Sequence, residues 1–161
     1  MKKIAIGCDP NATDLKEAVK QQLTDLGYEY EDYGSDDPIY ANVAIKVAEQ
    51  VAAGVHERGI LICGTGIGMS IAANKVPGAY AALCADAYST ERSIKSNNAN
   101  IMTMGSQVIG PELAKTLVTI WMRSEYTPGG RSEPKVRRIV EYDRGRSAAG
   151  GERSHGSAEQ S

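Results

Sequence analysis

A chain of 161 residues, 42% hydrophobic and 24% charged, is long enough to close one core and ordinary enough in composition to be a folded domain. Its formal charge of −2, without a long basic run, speaks against nucleic acid as a partner, and no apolar stretch approaches the ~20 residues of a membrane span. Met1-Lys2-Lys3 leads directly into an apolar strand pattern with no signal-peptide core, so a cytoplasmic location is expected.

Ile4 to Cys8 reads as a short buried strand, and Asn11 as the cap of a helix carrying Leu15, Val19, Leu23 and Leu26 at helical spacing. Gly27 ends that helix. Tyr28 to Tyr33 alternates like a strand, and Val43, Ala44, Val47, Ala48 and Val51 mark a second helix that Gly54 ends. Gly59 to Cys63 is a continuous apolar run, as a central parallel strand should be. A glycine-rich turn follows it, then a helix from about Gly68 to Lys75. Tyr80 to Cys84 is a strand, Tyr88 to about Ser96 a helix, and Asn100 to Met104 a fifth strand. Pro111 opens a helix bearing Leu113, Leu117, Val118 and Trp121, and a last helix covers Glu133 to Tyr142. From Gly145 the chain is Gly, Ser, Ala and charge, so residues 1–144 are expected to form the domain and 145–161 a disordered tail.

Strands alternating with helices predict an α/β fold with a parallel sheet covered on both faces. Sites in such sheets form beyond the C-terminal ends of the strands, here the loops after Cys8, Cys63 and Met104. Three widely spaced cysteines without a CxxC pair argue against a disulfide framework and a zinc site. Neither His56 nor His155 sits in a motif, so catalysis would have to use Cys, Asp, Lys, Arg, hydroxyls or backbone amides. In Cys63-Gly64-Thr65-Gly66-Ile67-Gly68 the glycines let the backbone turn tightly and point successive amides inward, a cradle for an anion. It is neither the GxGxxG dinucleotide fingerprint nor a GxxxxGK[ST] phosphate loop. Cys63 beside those amides has two readings: a base, since helix N-termini favour thiolates, or a small buried apolar residue. As a base it would remove a proton from carbon next to a carbonyl, with the amides holding the developing enediolate charge and Thr65 passing a proton between neighbouring oxygens. Cys8, Cys84 and Trp121 read as core residues, Asp86 as a helix cap, and Asp36 and Asp37 as turn residues.

The run CGTGIGMSIAANKVPG, Cys63 to Gly78, resembles the sugar-phosphate isomerase family of ribose-5-phosphate isomerase B and galactose-6-phosphate isomerase. Gly7-Cys8-Asp9, Asn97-Asn98-Ala99-Asn100, Met104-Gly105-Ser106 and Gly129-Gly130-Arg131 extend the resemblance from Lys3 to about Tyr142. It implies a Rossmann-like three-layer sandwich with a five-stranded parallel sheet flanked by helices. It also implies a homodimer, or a dimer of dimers, with active sites at the subunit interface, a sugar phosphate as substrate, and no metal or organic cofactor. By that resemblance Cys63 is the base and Thr65 assists. The backbone of Gly64, Gly66, Ile67 and Gly68 stabilises the enediolate, Asp9 and Asn97 bind hydroxyls, and Arg131 binds phosphate in the partner's site. Lys135 stands where the family often has a second arginine. At i and i+4 the two cations would share a helix face, and without the resemblance they read as solvated surface charges.

Departures from the family pattern bear on the substrate. Pro10 and Ser96 stand where the family usually has histidines, the second of which is thought to help open the sugar ring, and Gln107 replaces an arginine. A pentose 5-phosphate closes into a furanose, whereas a tetrose 4-phosphate cannot close without a strained ring and needs no ring-opening acid. Ser96-Asn97-Asn98 and Gly130-Arg131-Ser132 also resemble the family branch that interconverts D-erythrulose 4-phosphate and D-erythrose 4-phosphate. The expectation is therefore that tetrose reaction, with ribose 5-phosphate isomerisation as the alternative. A sugar-phosphate-binding subunit without catalysis is the alternative from another class; the presence of both Cys63 and Thr65 argues against it.

Overall fold

The computed structural model describes residues 1–156, with side chains as far as residue 146. Its strands are β1 (Ile4–Cys8), β2 (Tyr30–Asp32), β3 (Gly59–Cys63), β4 (Ala81–Leu83) and β5 (Ile101–Gly105), all parallel, in the order β2-β1-β3-β5-β4. The α-helices among the described residues are α1 (Thr13–Asp25), α2 (Tyr40–Ala52), α3 (Ile67–Ala73), α4 (Ala87–Lys95), α5 (Pro111–Arg123) and α6 (Glu133–Gly156).

The three central strands are buried at every residue, which is why their sequences run apolar without alternation. Successive side chains still point to opposite faces. Ile60 and Ile62 of β3 join the core under α1, α4 and α5, while Leu61 and Cys63 join the core under α2 and α3. Trp121 is fully buried in the first of these layers. The Arg58 guanidinium lies 5.2 Å from its ring centre and donates to Trp121 O at 2.6 Å and Ser124 O at 2.7 Å, satisfying carbonyls at the end of α5. The chain leaves β1 toward the α1 layer and β3 toward the α3 layer. The loops after these neighbouring strands therefore diverge and leave a crevice between them, the usual place for a site in an open α/β sheet.

Several boundaries differ from the sequence expectation. Asn11 is not a helix cap: Pro10–Ala12 form a 3-10 turn before α1, and Asp9 caps it by accepting from Asn11 N at 3.0 Å. Strands β2 and β4 are three residues each, shorter than the predicted Tyr28–Tyr33 and Tyr80–Cys84, because an edge strand has one neighbour to pair with. Arg131 and Lys135 do not share a helix face. Gly129, at φ +85°, donates to Glu133 Oε2 and starts α6 at Glu133, which leaves Arg131 in the preceding turn. Helix α6 also runs past Tyr142, its expected end, to Gly156. Its one proline, Pro134, lies in the first turn, where no backbone bond is lost, and each added residue of a formed helix gains a backbone bond. Residues 157–161 lie outside the described residues.

Candidate active site

Cys63 is the last residue of β3 and only 4% exposed. Its Sγ accepts the Gly66 N–H at 3.1 Å, so the chain doubles back over the sulfur within three residues. That path requires glycine: Gly66 has φ +81°, and a Cβ there would come within 2.8 Å of the Met104 backbone. The Gly66 carbonyl accepts from Ser70 N at 3.1 Å and from Thr103 Oγ1 at 2.9 Å. Thr65 is exposed, its Oγ1 3.3 Å from Ile67 N. The loop after β5 is tied to the same turn, with Ser106 N donating to Cys63 O at 2.8 Å and Gln107 N to Gly64 O at 2.9 Å.

A cleft of about 380 Å³ opens here, lined by Asp9, Cys63, Gly64, Thr65, Ile67 and Gly68 together with Tyr40 and Ile71. Asp9 reaches it from the loop after β1, one carboxylate oxygen engaged by Asn11 N. Tyr40, absent from the sequence reading, opens α2, and its ring lies so close to Gly68 that a Cβ there would collide with it. The other thiols differ in setting. Cys8 faces the α1 layer, where burial pushes it up to about 11, and burial likewise raises Cys84. His56 is far from usable: it is 2% exposed, with Nδ1 on Lys3 O and Nε2 on Tyr33 OH, each at 2.7 Å. Among the described residues no three His, Cys, Asp or Glu side chains gather as a metal site would need.

The remaining expected residues stand apart from this cleft. Asn97 lines a groove of about 500 Å³ along β4 with Tyr88 and Arg92. Arg131 lines a third hollow, of about 290 Å³, with Arg92, Lys95 and Ser132. Lys135 is exposed on the first turn of α6, outside the lining of that hollow. One copy of the chain thus holds a thiol, a hydroxyl, a carboxylate and backbone donors around one cleft, the Asn97 amide in a second hollow and the Arg131 cation in a third. The groups of the first can take a proton from an acidified carbon and hold an oxyanion; the cations of the third, Arg92, Lys95 and Arg131, can hold a dianionic phosphate.

Residues 4–139 match the family model described as Ribose/Galactose Isomerase. The chain is 48% identical over 147 residues to the D-erythrulose-4-phosphate isomerase of Pectobacterium atrosepticum, covering 89% of this chain and 96% of that one. It is 49% identical over 144 residues to the Ribose-5-P isomerase B of Listeria innocua, covering 88% and 97%. Its fold matches the structure of Clostridium thermocellum Ribose-5-Phosphate Isomerase B with a TM-score of 0.82 at 42% identity, over 88% of this chain and 97% of that one. With the matched region spanning every strand and reaching into the last helix, the chain belongs to the ribose/galactose isomerase family.

Proposed function

We propose that the chain is an aldose–ketose isomerase acting on a tetrose phosphate, interconverting D-erythrulose 4-phosphate and D-erythrose 4-phosphate through a cis-enediolate. Relatives named for the tetrose and for ribose 5-phosphate are equally similar, so overall identity does not separate the substrates. The observation that carries the tetrose reading is that, among the described residues, no histidine lines the Cys63 cleft. Pro10 has no side-chain donor, Ser96 sits at the C-terminal cap of α4, and His56 is locked in the core. An open-chain substrate needs no acid to open a ring.

In this reading the Cys63 thiolate removes a proton from the carbon bearing the hydroxyl and returns it to the neighbouring carbon on the same face. Thr65 moves the second proton between the two oxygens. The backbone N–H groups from Gly64 to Gly68 balance the enediolate charge, which is largest in the transition state. Asp9 and Asn97 bind hydroxyls, and Arg131 binds the phosphate. Because Asn97 and Arg131 stand apart from the Cys63 cleft in one copy, the working unit is a homodimer in which Asn97 and Arg131 of one copy complete the cleft of the other. Exposed Ile67 and Ile71 beside the cleft, and Leu83 and Tyr88 along β4, suit burial between copies.

The test is kcat/KM on D-erythrulose 4-phosphate and D-ribose 5-phosphate with the same preparation. A tetrose preference of about tenfold or more is expected. A ribose preference would overturn the tetrose reading and make Asp9 the first suspect as ring-opening acid.

A further inference from the structure

Thr103 is the one polar side chain of β5, and it is fully buried. Its neighbours along the strand, Met102 and Met104, face the α1 layer, so Thr103 faces α3 and the turn after Cys63. Burial alone would favour valine here, which has the same shape without the hydroxyl. The hydroxyl instead donates to Gly66 O at 2.9 Å.

Gly66, in the left-handed conformation at φ +81°, is a residue that such a hold can fix. It has no side chain, gives α3 no side-chain cap, and has the largest backbone freedom to lose. Its N–H is the group on the Cys63 sulfur, at 3.1 Å. Its carbonyl lies across a trans peptide from the Ile67 N–H, so drawing the carbonyl toward β5 turns that N–H the other way, toward Thr65 Oγ1 at 3.3 Å and the cleft that Ile67 lines. The titratable groups lining the cleft with Cys63 are Asp9 and Tyr40; α3 and β5 bring none, and the Cys8 thiol of β1 faces the opposite core.

We propose that Thr103 is a positioning residue for the isomerisation: its hydroxyl clamps the Gly66 carbonyl to the central sheet and thereby holds the Gly66 N–H on the Cys63 sulfur and the Ile67 N–H at the cleft. The role rests on reading Cys63 as the base. Thr103 touches no reacting atom. It acts by keeping a residue without a side chain of its own in the geometry the transition state needs, so its loss falls on the chemical step more than on substrate binding.

Thr103→Val removes the hydroxyl and keeps the volume. Expected is a fall in kcat of about tenfold with KM within about twofold, and recovery to within about threefold of the parent in Thr103→Ser. The rate of iodoacetamide alkylation at Cys63, followed at neutral pH by peptide mass spectrometry, should fall several-fold in Thr103→Val and recover in the serine variant. Thr103→Ala, which also lacks the hydroxyl, takes the place of the valine variant if the latter does not fold. An unchanged kcat and alkylation rate in the hydroxyl-less variant overturns the proposal, as does a serine variant as impaired as the valine one. The alkylation arm needs no substrate, so it tests Thr103 even if the parent protein turned over neither sugar.

Discussion

Cys63→Ala removes one sulfur from a side chain whose far end borders the cleft, so the sheet should tolerate it. Turnover should fall by about three orders of magnitude or more, while the melting temperature stays within a few degrees. Substantial residual turnover in a folded variant would take the proton transfer away from Cys63. The residues of this turn were legible in the sequence because both causes are local: an apolar strand that must end in a turn, and glycines that let the turn fold back on the last strand residue. Tyr40 was not legible, since its place beside Gly68 depends on two loops meeting across the sheet. Thr103 looked like one more strand residue; only the register of β5 against β3 reveals that its hydroxyl meets Gly66. The i, i+4 spacing of Arg131 and Lys135 suggests a shared helix face, but the break at Gly129-Gly130 leaves Arg131 in the turn before α6.

Helix α6 is held to the body by Asp143, whose Oδ2 accepts from Gly78 N and Tyr80 OH, both at 2.8 Å, while Arg146 reaches Asp143 Oδ1 at 3.2 Å and Asn74 O at 3.3 Å. Burial opposes ionisation of this carboxyl, but the Gly78, Tyr80 and Arg146 donors together outweigh it and hold it below the ordinary aspartate range. Burial, and then the bond to Asp143, push Tyr80 up to about 12. A folded carboxyl that titrates below its unfolded value stabilises above about pH 4 and loses that contribution as the pH falls through the folded value. Asp143→Ala should therefore cost about 1–3 kcal/mol in urea unfolding at pH 7, and the gap to the parent should narrow at pH 3. A gap of equal size at both pH values would mean that Asp143 matters only for packing. The central elements were readable from apolar runs and helical periodicity. The ends of β2 and β4, the 3-10 turn and the length of α6 were not, because partners elsewhere in the chain or plain helix propagation decide them.

If two copies complete each other's sites, two inactive variants should rescue one another. Cys63→Ala and Arg131→Ala, unfolded together and refolded as a mixture, would give half mixed dimers, each with one site free of both substitutions; activity of about a quarter of the parent is expected. No recovery, in a mixture shown to exchange subunits, would mean that each copy holds a whole site. The family and the α/β layout were visible from one chain's residues; an arrangement between copies leaves no periodicity in the sequence. The buried indole of Trp121 adds an optical consequence. It is the only tryptophan in the chain, and it sits under Arg58 in the α5 layer, on the face of the sheet away from Cys63. Its emission colour therefore reports the wetting of that layer when the molecule melts and stays silent while sugar enters and leaves the cleft. A dead variant whose emission is unchanged has lost chemistry with that half of the core intact.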